Sequence, residues 1–407
     1  MPEERCGGGR ARPVEADGER SCARTHPVRL AQPMMRGLLV LALLCAGTGA
    51  VACPLCLGAF QQSKAQELVS APHAVLAAPT ADPSRFRVIA VVKGERPASS
   101  TVEGAYPRNG PAYESAASGS GKLLLLVRDD LFPTWTILGR IGADHLDWLR
   151  KLAVEKPAAE MSLDDWRARA ALALPYLESH EPLAAEFAYG ELAEVPYPAL
   201  RTVKSHLAAP AVRQWIAQPE RTARQPLYFL LLGIAGNAED AASLERRLEK
   251  AWASSDATNV GPMIAADLEL KGPTLMAWVD ERYMRDQRRS TRELEAALLA
   301  LSVQGNANGV IPRERVIQSY RTFIKEHRDI AGFVAQDLAA WQYWDAVPEY
   351  VALMKSNSPQ QYPSRIAIVA YLRQYPNSRA IDLPLPAIAD PPGGTARAAS
   401  AVGALPK

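Results

Sequence analysis

The chain has 407 residues, enough for two or three domains at about 100–200 residues each. With 48% hydrophobic and 22% charged residues its composition is globular, which excludes a disordered or collagenous chain. A formal charge of +2 gives no electrostatic reason to expect nucleic acid, and five cysteines are too few for a disulfide scaffold.

Residues 1–33 are rich in Arg, Gly and Pro and show no hydrophobic period; they read as a disordered extension ahead of the true start. Met34-Met35-Arg36 is followed by the apolar core Leu38-Leu39-Val40-Leu41-Ala42-Leu43-Leu44 and by Ala50-Val51-Ala52. A positive residue, a short apolar core and an Ala-x-Ala end predict a secretory signal peptide over 34–52, with translation starting at Met34 or Met35 and cleavage after Ala52. The core is too short for a membrane span of roughly 18 residues. Removing residues 1–52 takes away seven arginines and five acids and brings the formal charge to zero. Cys53 and Cys56 are then the remaining cysteines, with Cys53 as the new N-terminus. Lipoprotein processing, with a lipid on Cys53 as a membrane attachment, is the open alternative.

Cys53-Pro54-Leu55-Cys56 is the one chemically loaded motif of the mature chain. A c-type haem site needs His after the second Cys, where Leu57 stands. A thioredoxin-like pair needs a preceding strand, and none precedes it here. A structural zinc site needs four ligands, while His73, His145, His180, His206 and His327 stand alone. A disulfide fixing the N-terminus is the preferred reading, with a redox pair as its alternative. No cofactor and no metal site is expected.

Residues 53–155 read as a small β domain. Leu57 to Val69 has helical character. Short strands are predicted at Ala74-Val75-Leu76-Ala77, Phe86 to Val92, Ser100-Thr101-Val102, Lys122 to Val127 and Trp135-Thr136-Ile137-Leu138, separated by turn signals. Lys122 to Val127 is continuously apolar after its lysine, as suits a strand buried on both faces. Residues 103–121 are Gly-, Ser- and Pro-rich and read as a loop. Asp144 to Val154, with Leu146, Leu149 and Leu152 at helical spacing, closes the domain.

The N-terminal Cys motif, the short helix, the run ending Val91-Val92-Lys93-Gly94 and the Leu-rich strand together resemble netrin-like domains. That resemblance implies an OB-type barrel. It also implies kinship with tissue inhibitors of metalloproteinases, in which the N-terminal Cys, here Cys53, chelates the target's zinc. The inhibitors have Cys-x-Cys and downstream partner cysteines, both absent here.

Residues 160–378 carry a repeat: Leu, three residues, then Gly or a surrogate. It reads Leu232…Gly236, Leu268…Gly272 and Leu301…Gly305, with weaker forms at Leu192…Pro196, Leu338…Gln342 and Leu372…Pro376. The pattern predicts Leu in the last turn of a first helix and Gly ending it in the left-handed conformation. A second helix follows, with apolar positions at Leu244, Leu248, Ala251 and Trp252 in one unit and at Val316, Tyr320 and Phe323 in another. The next first helix carries Leu294, Ala297, Leu298 and Leu301 behind the capping box Ser290-Thr291-Arg292-Glu293. Ser162-Leu163-Asp164-Asp165 is a weaker box, and Pro226 suits a helix first turn. Two helices per 33–40 residues predict an α-solenoid, and Leu232 to Asp240 resembles HEAT repeats. Residues 379–407 read as a disordered tail. The whole order, with Val310 to Arg315 and Asp337 to Trp344, is similar to an uncharacterised family of exported bacterial proteins.

The fold class expected is therefore α+β multidomain: a small OB-like β-barrel followed by an α-solenoid of HEAT-like helix pairs. Two candidate surfaces stand out. Trp341, Tyr343, Trp344 and Tyr350 form an aromatic cluster that suits either an interface anchor or interhelix packing. Arg285, Arg288, Arg289 and Arg292 surround a loop that could hold an acidic partner or remain a solvated face. No His-Glu-x-x-His or Gly-x-Ser-x-Gly motif is present. The expected function is that of an exported cell-envelope binding or scaffold protein without catalytic activity, engaging a protein partner and no nucleic acid. A thiol–disulfide protein using Cys53 and Cys56, or an inhibitor acting through Cys53, are the alternatives.

Overall fold

Alternation of apolar and polar residues lays down the first layer of the structure. The computed structural model describes residues 63–82, 84–105, 121–130, 134–154, 156, 160–356 and 360–381. After helix α1 (Lys64–Ser70) come strands β1 (His73–Pro79), β2 (Arg85–Lys93), β3 (Thr101–Ala105), β4 (Leu123–Arg128) and β5 (Trp135–Ile141). β3 extends through Glu103 and Gly104 to Ala105, three residues that the sequence assigns to the loop. β1 pairs antiparallel with β2 and β4, β2 with β3, and β4 with β5, while β3 and β5 run parallel. The order β1-β2-β3-β5-β4 thus returns to β1.

The apolar run of β4 follows from burial on both faces. Leu124 and Leu126 join Val75, Ala77, Phe86, Val88, Val102 and Trp135 in one core. Leu125 and Val127 point the other way, into a second core with Leu138, Ile141 and residues from three helices. Those helices are α1, α2 (Leu146–Leu152) and α4 (Pro182–Glu194). β2, by contrast, alternates cleanly, with Phe86 and Val88 buried and Arg85, Arg87 and Ile89 exposed. Arg150 of α2 donates from Nε and Nη2 to the Val91 carbonyl, both at 3.1 Å.

α4 belongs to two cores at once. Leu183, Ala184 and Phe187 pack on the sheet, whereas Ala188, Leu192 and Ala193 enter the helical core. Its surroundings explain why most of its residues are apolar: nine of the thirteen are buried. α3 (Leu163–Ala173) precedes it, opened by the Ser162/Asp165 capping box. All described residues lie within one compact unit.

The helical region continues with α5 (Tyr197–Leu200), α6 (Ala209–Ala217), α7 (Gln225–Ala235), α8 (Ala238–Ser254), α9 (Val260–Lys271) and α10 (Met276–Val279). Then follow α11 (Thr291–Ala307), α12 (Arg313–Glu326), α13 (Ala335–Ala340), α14 (Val347–Lys355) and α15 (Tyr362–Gln374). α9 lies between α7 and α11, and it is buried from Val260 to Leu268. Among the described residues no helix is long and apolar enough to cross a membrane.

The leucine–glycine landmarks hold in part. The Gly236 N–H bonds to the Leu232 carbonyl and ends α7, and Gly272 ends α9 in the same way on Leu268. Gly272 has a positive φ of +68° but a ψ of −154°, and Gly236 has φ −76° and is extended, so neither takes the expected left-handed helical conformation. Gly305 does not end a helix at all. It lies inside α11, where a Cβ would stand 2.5 Å from the Trp341 ring, and Asn308 takes the left-handed position instead. Gly305 is small because an indole packs on it, not because the chain turns there. Gln342, a surrogate, does adopt a positive φ of 56°.

Candidate functional site

The arginine loop between α10 and α11 is organised by what surrounds it. A single helix is absent after α9. A 3-10 turn (Gly272–Leu275), the short α10 and a π turn (Asp280–Met284) stand in its place. The Arg285 N–H bonds to the Asp280 carbonyl at 2.9 Å, a five-residue step that widens the helix; such turns recur at functional sites. Asp280, Tyr283 and Met284 turn inward, and Arg282 comes to lie 4.0 Å from the ring centroid of Trp252. The Arg289 guanidinium stands 4.9 Å from the same ring. One indole thus receives two cations.

Arg289 is fixed from several directions. Its Nη1 donates to the Trp252 carbonyl at 2.9 Å and to Glu293 Oε1 at 3.0 Å, and its Nε to Asp286 Oδ2 at 3.1 Å. Hydrogen bonding from Arg288 holds the Asp286 carboxyl down at about 2. Ser290 and Glu293 form the reciprocal box that starts α11. Glu249 of α8 accepts from Trp278 Nε1 at 2.8 Å and from Arg282 at 3.4 Å. Tyr283 is fully buried without a hydroxyl partner, and burial pushes its hydroxyl up to about 12. Arg315 of α12 reaches Asp280 Oδ2 at 2.5 Å and Ser319 Oγ at 2.8 Å, bracing the π turn from behind.

The four arginines therefore divide. Arg289 is a buried brace. Arg288, 82% exposed at its side chain, projects outward although it bonds Asp286. Arg285 and Arg292 are exposed, the former 3.8 Å from Glu281. The arrangement can offer guanidinium donors to carboxylates from a backbone that does not have to be ordered first.

The aromatic candidates face inward more than outward. Trp341 lies parallel to Tyr320, with centroids 5.6 Å apart, and donates from Nε1 to Asn306 at 2.8 Å. Trp344 packs against Tyr371 and Tyr375, and the Tyr343 carbonyl accepts from the Tyr371 hydroxyl. All three are half-buried between helices. Ala52, Cys53 and Cys56 lie outside the described residues. Among the described residues no group of three or more His, Cys, Asp or Glu side chains could hold a metal ion. His73 pairs with Asp130 at 3.1 Å and His145 with Asp144 at 3.0 Å, each as an isolated pair.

The sequence did not single out Arg282, Glu249, Trp278 or Tyr283, and it took Trp252 for core alone. These residues meet across some thirty positions of chain, and no spacing rule joins them. No family model matches the chain, and the comparisons with curated proteins and with solved structures found no match either.

Proposed function

We propose that this chain is an exported cell-envelope protein that binds or scaffolds a protein partner through its helical region. The observation that carries the reading is the braced arginine loop: Arg285, Arg288 and Arg292 stand outward on a base fixed by Asp286, Arg289, Trp252 and the α11 cap. A pre-ordered loop loses little entropy on binding, and arginine is enriched where interfaces concentrate their energy. Export rests on the Met34–Ala52 leader pattern, and Cys53 is the residue that would carry a lipid or join Cys56 in a disulfide.

The finer architecture belongs to the same proposal. An OB-type barrel is supported by five strands in the order β1-β2-β3-β5-β4, closed on β1, with β3 parallel to β5. A HEAT-like solenoid is supported by the succession α7, α9, α11, whose members pack side by side with α8 and α12 as their companions. Both agree with the netrin-like and exported-family resemblance.

The test is site-specific photo-cross-linking in the envelope. A cross-linker at Arg288 is expected to give a discrete adduct that one at exposed Lys204 does not, and Arg285→Glu with Arg292→Glu is expected to abolish it. A chain retained in the cytoplasm, or one without any adduct at Arg288, overturns the reading.

A further inference from the structure

The π turn that carries the arginine loop is fastened to α12 by three joints. At the start of α12, Arg315 bonds Asp280 Oδ2 at 2.5 Å and Ser319 Oγ at 2.8 Å. Toward its end, Glu326 accepts from Gln287 Nε2 at 3.2 Å. The third joint is His327, the residue that caps α12. Its ring is stacked on Phe323, with centroids 4.9 Å apart, and the Tyr283 and Met284 carbonyls of the π turn face it. The residue is only 5% exposed. Of the side-chain types in these joints, imidazole is the one whose charge changes between about pH 5 and pH 8.

The closed turn is poorly satisfied. Asp280 Oδ1, the Tyr283 hydroxyl, Trp252 Nε1 and His327 Nε2 are all buried without a hydrogen-bond partner, and all lie on the π turn or against it. A buried polar atom without a partner costs free energy that water returns when the segment opens. The turn therefore stands at the low end of local stability, where a small bias moves it.

The charges nearby do not rescue an imidazolium. Glu326 and Asp329 lie beside the ring along the chain and favour its proton, as do the two carbonyls, but loss of water outweighs them. Lys325 and Arg328 add positive charge on the same side. The elements packed on α12 are α11, the π turn and the 3-10 turn Ala331–Val334. α11 brings Arg292, Glu293 and Glu295, and Glu293 is taken by Ser290 and Arg289. The π turn brings Asp280, Glu281 and Arg282, of which Asp280 is held by Arg315 and Arg282 by Glu249. The 3-10 turn has no titratable side chain.

We propose that His327 is a pH-sensitive latch: its neutral ring holds the π turn on α12, and its protonation releases the turn and with it the arginine loop. The open state binds the proton more readily than the closed one, so acid favours opening. The pairing of Asp286 with Arg288 and Arg289 is kept, because that carboxyl titrates only at about 2. Release of a partner by acid is the consequence, and that step rests on the reading of the loop given above.

The experiment is hydrogen-exchange mass spectrometry on the full-length chain at about pH 7.5 and about pH 5, with rates corrected for intrinsic exchange. Exchange over residues 280–292 is expected to rise by about 3- to 30-fold in acid, the upper figure being the linkage limit for a group that titrates at 6.5 when open. Residues 225–235 of α7 are expected not to follow. His327→Gln and His327→Phe carry no charge, and circular dichroism confirms the fold of each. Either is expected to make the protection of 280–292 equal at both pH values. Equal protection in the wild type, acceleration shared by α7, or acid opening retained in a folded variant overturns the proposal. No partner is needed for this measurement, so it stands or falls apart from the reading of the loop. With a cross-linker at Arg288, the adduct is then expected to be lost in acid by the wild type and kept by His327→Gln.

Discussion

At the scale of single residues, burial opposes ionisation at Asp267. Its side chain is fully buried on α9, one carboxylate oxygen has no partner, and Lys271 reaches the other at 3.2 Å. Desolvation outweighs the lysine, and the carboxyl is raised from 3.8 to about 6. A raised acid holds its proton longer in the folded chain than in the unfolded one. Its contribution to stability is therefore full below about pH 3.8 and is lost as pH rises through about 6. Asp267→Asn is expected to gain about 2 kcal/mol over wild type at pH 8 and nothing at pH 4, read from urea unfolding at both pH values. His327 runs the other way. It is buried and stacked on Phe323, and desolvation lowers its affinity for a proton although the Tyr283 and Met284 carbonyls oppose this. Its stabilisation is present above the usual value of 6.5 and lost as pH falls below it. His327→Gln is expected to flatten that acid-side loss in the same titration.

At the scale of elements, the approach of α7 to α9 depends on one missing side chain. A Cβ on Gly233 would stand 2.6 Å from the Ala266 Cα, which is backbone and cannot move aside. Alanine would gain about 1 kcal/mol of helix propensity at that position. Overpacking of this kind costs about 1–3 kcal/mol, so Gly233→Ala is expected to lower stability on balance, measured by thermal unfolding. Ser290→Ala removes half of the α11 capping box and is expected to cost about 1 kcal/mol. Its effect reaches the arginine loop, because Glu293 also holds Arg289. This was legible in advance: Ser290-Thr291-Arg292-Glu293 is a local signal, and local signals predict caps. Of the partners of Arg289, Asp286 and Glu293 lie three and four residues away along the chain, whereas Trp252 was not legible, because packing brings it from 37 residues away.

At the scale of the whole molecule, Arg169 of α3 joins the sheet region to the helical region. It donates to the carbonyls of Leu152, the last residue of α2, and of Val154 just beyond it, and pairs with the buried Glu191 of α4 at 2.6 Å. Arg169→Ala would leave that carboxylate buried and alone, at an expected cost of about 3–5 kcal/mol. Phe187 sits in the core that the sheet shares with α4. Phe187→Ala is expected to cost a similar amount and to shift near- and far-ultraviolet dichroism transitions together, since both regions lean on that core. Separate transitions would mean that the two regions fold independently.

Sequence alone determined the strands from Ala74 to Leu138, the capping boxes at Ser162 and Ser290, and the first-turn proline of α7, because each depends on residues within a turn or a pleat of one another. Tertiary structure decided the rest. It made Gly305 a seat for Trp341 rather than a helix end, gave α4 to two cores, and widened the chain at Asp280–Met284 so that Arg282 meets Trp252. The physical reason is range: a hydrogen-bonded turn is fixed by its own few residues, whereas close packing is fixed by whichever side chains the rest of the fold delivers to the same place.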